Sequence, residues 1–298
     1  MNLKSLALAI SAGVCGFAAH AAADLSKETA EYKQFVVEQI DLLLADTEKF
    51  ADYLQKGDVE NAKKMYPLAR MYFERSEPIA ESFGDLDPRI DARLVDILAE
   101  ENFVQLPEEA SAEVLQKAME SVPGDQLKVA LDKWSGFHKI EKVLWEENTT
   151  KGTEATAEQL VKDVKELRAK IPTADVTPEL MITGAVDLLN EVSTTKITGE
   201  EDIFSKTDLF DFKANIEGAE KIFELFRPHV EAKDAKLAET IAAQFKAVDD
   251  LLAKHNRAKD GGYDYVGYDT LSKEDIKALA EAVNKLGEPL AQMGIILE

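Results

Sequence analysis

The chain has 298 residues, with 57 aspartates and glutamates against 35 lysines and arginines and a formal charge of −22. A surplus of that size repels nucleic-acid phosphates and favours cations as partners. The single cysteine, Cys15, rules out an intrachain disulfide framework and a thiolate cluster, so any metal must be held by oxygen and nitrogen.

Residues 1 to about 23 have the pattern of a secretory leader: Lys4, an apolar run from Leu6 to Ala18, then small residues at Ala19-His20-Ala21 or Ala21-Ala22-Ala23. The run is shorter than the roughly 20 residues of a membrane span. Val14 precedes Cys15 where a lipid-attachment site has a small residue. The expectation is therefore cleavage and a soluble periplasmic protein of about 275 residues, carrying −23 once Lys4 is gone.

Helical periodicity then runs almost unbroken. Ser26 opens a helix in which Tyr32, Phe35, Val36, Ile40, Leu43, Leu44, Phe50 and Leu54 recur every three or four residues up to Gly57. Asp58 is placed to cap a second, where Pro67 and Pro78 should kink or offset the chain. Residues 84–88 read as a loop, 90–100 as helix, and Pro107 as the start of a short helix ended by Pro123-Gly124-Asp125. Residues 126–147 read as one helix, and the polar stretch 148–153 with Gly152 as a boundary between residues 24–150 and 151–298. Helices follow over 156–170, from Thr177-Pro178 to 196, over 208–226 up to Pro228, over 232–256, and from Ser272 to about 293. No stretch reads as a strand. The packing expected is all-α, two four-helix bundles.

The stretch 134–145 holds both tryptophans and His138, one of only four histidines. His138 and Glu141 are i and i+3, so on a helix their Cβ atoms lie roughly 5–6 Å apart on one face. Such a pair can close on a metal; the plainer reading is a core histidine bonded to a carboxylate. Three further places concentrate acids. Arg70, Glu74 and Glu77 share one helix face. Asp85, Asp87 and Asp91 alternate like a calcium loop but lack its glycine and terminal glutamate, which leaves Asp85 or Asp87 as a cap and Asp91 facing inward. Glu200, Glu201 and Asp202 lie ahead of a helix, where the plain reading is capping and solvation.

In sequence, Tyr66-x-x-x-Arg70-x-Tyr72-Phe73-Glu74-Arg75-Ser76-Glu77-Pro78, Gly84-Asp85-Leu86-Asp87-Pro88-x-Ile90-Asp91-x-Arg93, Phe137-His138-x-Ile140-Glu141-x-x-Leu144-Trp145, Gly199-Glu200-Glu201-Asp202 and Asp208-Leu209-x-Asp211-Phe212-x-Ala214-Asn215 resemble the EfeO/EfeM group of imelysin-like proteins, a peptidase family with a His-x-x-Glu motif. The resemblance covers nearly the whole chain after the leader. It implies a bilobed fold of two four-helix bundles in the short EfeM-type form, without the copper-binding cupredoxin domain of longer members. It implies the periplasmic iron-binding component of an EfeUOB-type uptake system, partnered by an inner-membrane iron permease and a periplasmic haem peroxidase. By the same resemblance the metal ligands are His138 and Glu141, with Glu74, Glu77, Asp91 and Glu201 as acidic companions between the lobes. The ion is Fe2+ or Fe3+, with Zn2+, Cu2+ or Ca2+ as other occupants of such donors. An alginate-binding relative keeps acidic polysaccharide as an alternative ligand. The peptidase label is the weaker alternative, since the sequence holds no His-Glu-x-x-His helix.

Overall fold

The structure, a computed structural model, describes residues 24–105 and 112–297. The expected leader, with Lys4, Cys15 and the expected cleavage position, and the helix start expected at Pro107 lie outside the described residues. In α1 (Ser26–Lys56) the residues Tyr32, Val36, Ile40, Leu43, Phe50 and Leu54 form one buried stripe. Gly57, at φ 75, ends the helix in the left-handed conformation that glycine adopts without a Cβ clash. The Asp58 side chain accepts from Asn61 N at 3.1 Å and caps α2 (Val59–Glu74), as the sequence suggested. The helix continues across Pro67. It ends at Glu74, and Pro78 lies in the first turn of the 3-10 stretch that follows (Glu77–Phe83), where Ile79 leaves helical geometry.

The remaining helices are α3 (Leu86–Asp91), α4 (Leu94–Glu100), α5 (Ala112–Ser121), α6 (Gly124–Lys133), α7 (Phe137–Lys142), α8 (Glu154–Lys170), α9 (Pro178–Thr194), α10 (Asp208–Leu252) and α11 (Lys273–Leu297). A π-helical turn (Val143–Glu147) extends α7. Two stretches expected to be single helices are divided. Residues 90–100 part at Ala92 and Arg93, whose ψ of 133 and 157 are extended, and 126–147 part between Lys133 and Phe137. The expected loop at 84–88 is correspondingly shorter, since α3 already begins at Leu86.

α10 is a hairpin. Asp234 has φ −150 and ψ 89, and Lys213 Nζ lies 2.6 Å from Asp249 Oδ1 while Phe223 stacks on Phe245 at 5.8 Å. A straight helix would hold residues 36 apart at about 54 Å. The turn is at Asp234 rather than at Pro228, which stays within the first arm.

α1, α2, α7 and α8 form one group of helices; α9, the two arms of α10, and α11 form the other. α8 lies beyond Gly152 in sequence yet packs on α1 and α3. The groups meet where α2 lies against α10 and the 3-10 stretch against α9, and one apolar cluster runs through both. Each fully buried Leu, Ile or Phe there contributes roughly 1.5–3 kcal/mol. A separate small cluster of Leu94, Leu98, Leu115, Met119, Ala130 and Trp134 forms a cap of α4, α5 and α6. Among the described residues the only extended pairing is a bridge between Asn256 and Tyr265, and no helix is long and apolar enough to cross a membrane.

Candidate metal centre

The two chain breaks lock together, and that contact builds the centre. Gly136 has φ 84, and a Cβ there would stand 2.2 Å from the Ile90 carbonyl oxygen. Ser135 Oγ donates to Arg89 O at 2.9 Å and Trp134 Nε1 to Ala92 O at 2.6 Å. The start of α7 is thus pinned to the end of α3. His138, second residue of α7, then faces Asp91, last residue of α3.

His138 is 1% exposed. Its Nδ1 lies 3.0 Å from Glu141 Oε2 and 3.2 Å from the Tyr66 hydroxyl. Tyr66 uses its proton on Asp202 Oδ1 at 2.8 Å, and an ionised Glu141 only accepts, so the Nδ1 proton is donated toward them. Glu141 Oε1 accepts from the backbone N–H of Phe204 at 3.1 Å and of Ser205 at 2.8 Å. Nε2, on the opposite side of the ring, is buried without a hydrogen-bond partner. It lies 3.7 Å from Asp91 Oδ1 and 3.8 Å from Glu201 Oε1. Next to His138 a small void of ≈10 Å³ is lined by Leu94, Trp134, Ile203 and Phe204 together with Arg93, Glu141, Glu200 and Glu201, among others. That is about the room one water-sized sphere needs.

Two groups of ligand atoms within 4.8 Å of one another follow: Asp91, His138 and Glu201 around Nε2, and His138, Glu141 and Asp202 around Nδ1. The Nε2 side is the less engaged one: Asp91 Oδ1 accepts from Arg70, but Nε2 itself has no hydrogen-bond partner and Glu201 Oε1 stands free of hydrogen bonds among the described residues. On the Nδ1 side both Glu141 oxygens are engaged, and the Asp202 oxygen is taken by Tyr66. An imidazole whose far N–H rests on a carboxylate is the usual posture of a metal-ligating histidine.

The acids around this point outnumber the cations. Glu74, Asp91, Glu141, Glu201, Asp202, Asp208 and Asp211 stand against Arg70, Arg93, Lys196 and His138. Arg70 is fully buried. It reaches Glu74 at 2.6 Å, Asp211 at 2.8 Å and also Asp91. Lys196 Nζ lies 3.2 Å from Glu74 and 3.1 Å from Glu77, and Asn215 Nδ2 donates to both acids. Burial and the Arg70 charge oppose protonation of His138, but its hydrogen bond to Glu141 and the neighbouring carboxylates of Glu201 and Asp91 prevail and raise its pKa to about 10. Burial pushes Asp91 up to about 7, against the pull of Arg70. Burial also works against ionisation of Glu201, yet Lys196, His138 and Arg93 hold it well below the usual carboxylate range.

Of the residues singled out in the sequence, His138, Asp91 and Glu201 converge on Nε2 and Glu141 backs the ring. Glu74 and Glu77 belong to neither group of ligand atoms; they carry Arg70, Lys196 and Asn215. Asp85 makes no side-chain cap on α3. The loop holding Glu200, Glu201 and Asp202 is buried, where solvation was the plain expectation, because its acids turn inward onto Arg93, Lys196 and Arg70. Sequence reasoning passed over Lys196, in an ordinary-looking Thr-Thr-Lys-Ile-Thr run. Asp211 and Asn215 lie in an unbroken helical pattern that gives no local sign of their inward contacts.

The family model described as imelysin, peptidase M75, matches residues 28–293. A protein named Efem/EfeO family lipoprotein from Staphylococcus haemolyticus strain JCSC1435 is 48% identical over 277 residues, 93% of this chain and 85% of its own length. Another of the same name from Staphylococcus aureus strain MSSA476 is 48% identical over 277 residues, 93% of this chain and 87% of its own. Matches of this extent leave one placement: the chain belongs to the imelysin family and, within it, to the Efem/EfeO proteins.

Proposed function

We propose that this protein binds an iron ion outside the cytoplasm and hands it on, as the periplasmic component of an EfeUOB-type uptake system, with no bond-making step. The observation that carries the reading is the unpartnered, buried Nε2 of His138 at 3.7 Å from Asp91 Oδ1 and 3.8 Å from Glu201 Oε1. One imidazole and two carboxylates suit Fe2+, Fe3+ or another hard to borderline ion such as Zn2+. Glu141 orients the ring, while Glu74 and Glu77 belong to the charge network around it. His138 lies 1% exposed with, among the described residues, no cleft large enough for a peptide at its Nε2, which speaks against the peptidase label. The cleft lined by Glu77, Asp87, Asp187 and Glu191 would repel an acidic polysaccharide. The permease and haem peroxidase implied by the resemblance are the proposed partners, and family membership supports them.

The test is calorimetric titration of the metal-free protein with Fe2+ under anaerobic conditions. One ion per chain is expected, lost in His138→Ala and weakened in Asp91→Asn and Glu201→Gln. Undiminished binding in His138→Ala would overturn the reading.

A further inference from the structure

We propose that Asp163, on α8, is a positioning residue for the ion: by holding Arg89 it sets the rotation of α3 that aims Asp91 at His138 Nε2. The proposal rests on the reading of the His138 centre, because Asp163 acts through one of the proposed ligands. Its carboxylate pairs with the Arg89 guanidinium across 74 positions of sequence. Arg89 stands two residues before Asp91 on the same short helix.

With six residues, α3 has little to fix it from within. It follows Gly84, at φ 61, and gives way to Ala92, whose ψ of 133 is extended, so neither flank continues its axis. Successive helix residues turn by about 100°, so Arg89 and Asp91 project about 200° apart, to nearly opposite sides. Leu86 and Ile90 are buried in the core; Arg89 reaches α8, and Asp91 reaches His138. A roll of α3 that loosens the first contact therefore moves the second. The bonds from Trp134 and Ser135 hold only backbone at the end of α3, whereas Arg89 to Asp163 is a side-chain bond on the face away from the ion. A bound ion keeps its carboxylate oxygens at about 2.0–2.2 Å, to within about 0.2 Å, so a small roll is felt as lost affinity.

Burial separates this pair from the surface bridges around it. Arg89 also lies 3.1 Å from Glu166 and 3.3 Å from Asp85, and Lys170 lies 3.5 Å from Asp85, but these acids are exposed and such pairs contribute little. The Asp163 side chain is 1% exposed, on a helix whose adjacent Lys165 and Glu166 face solvent. Gln159 Nε2 donates to its Oδ1 at 2.8 Å and orients the carboxylate, while Oδ2 has no hydrogen-bond partner. Among the described residues Arg89 is the one cation paired with it. A buried carboxylate with one cation and one unused oxygen gains little stability over an apolar side chain; what the pair supplies is a fixed geometry. Here that geometry belongs to the helix that ends in Asp91.

Metal-free full-length protein and its variants are titrated with Fe2+ under anaerobic conditions, and their melting temperatures are read by calorimetric scans. Asp163→Leu is expected to weaken the ion about tenfold, the low end of what residues behind metal ligands contribute. Asp163→Asn, whose amide oxygen still accepts from Arg89, loses less. Asp163→Leu/Arg89→Met removes both charges, melts near wild type, loses the same tenfold, and serves where the single variant does not fold. In an Asp91→Ala background Asp163→Leu changes nothing further, because the ligand it aims is gone. In a Glu201→Gln background, where the altered ligand sits on another segment, it still costs about tenfold. Wild-type affinity in the folded Asp163→Leu chains, or an equal loss with and without the Asp91 carboxylate, overturns the proposal and leaves the His138 reading standing. Undiminished binding in His138→Ala overturns that reading and this proposal together.

Discussion

His138 works through both ring nitrogens, and its two sides answer differently to substitution. Glu141 touches Nδ1 and two backbone N–H groups, so Glu141→Gln should keep the ion and weaken it by about 10–100-fold, the usual effect of a partner behind a metal-bound histidine. Titration calorimetry separates this from the complete loss expected in His138→Ala. The proton on the ring competes with the ion. With its pKa raised to about 10, the metal-free imidazole is charged at neutrality, and binding at pH 7.5 should release about one proton, measured from the dependence of the apparent enthalpy on buffer ionisation. Stability follows the same sign. A pKa raised in the fold stabilises it fully below the ordinary 6.5 and loses that contribution as pH climbs through about 10. Asp91, raised to about 7, acts in the same sense at lower pH. The melting temperature of the metal-free protein should therefore fall from pH 6.5 to 10, and that slope should flatten with the ion bound.

At the scale of elements, the centre depends on where helices stop. Residues 126–147 carry helical spacing throughout, yet the chain turns out at Trp134 and re-enters at Phe137, because Gly136 at positive φ lets the backbone touch Ile90. Gly136→Ala combines a strained φ with a Cβ that meets backbone, and should cost about 2–4 kcal/mol in denaturant unfolding. It should also weaken ion binding, since the displaced α3 carries Asp91. Trp134→Phe removes the hydrogen bond to Ala92 O and leaves a gap where the larger indole was buried, and should cost about 2–3 kcal/mol. The division of 90–100 at Ala92 had no signal in the hydrophobic pattern. It is bought by contacts from residues more than 40 positions away, Trp134 to Ala92 and Ser135 to Arg89.

For the whole molecule, the ion should act as a clamp between segments distant in sequence: α3, α7 and the loop after α9. An ion at a thousandfold its dissociation constant adds about 4 kcal/mol. In a chain of this size that is a rise in melting temperature of roughly 8 °C. Chelation should reverse it, and His138→Ala should not respond to either treatment; calorimetric scans read both. The helical spacing of α1, the capping Asp58 and the succession of loops were legible in the residues because these are local properties, set by side chains within a few positions of one another. His138 with Glu141 was legible for the same reason, being three residues apart. The Arg70–Glu74 pair, four residues apart, was legible too, but local order could not tell which oxygens meet Nε2, that Lys196 joins Glu74 and Glu77, or that an acidic loop faces inward. Those follow from the crossing of two chain breaks and from charge balance in a space closed to water, where each carboxylate must find a cation or a proton from another segment. Composition alone, with a single cysteine, meant that any cation would have to be held mainly by oxygen and nitrogen; the tertiary structure decided which of the many acids stand close enough to do so.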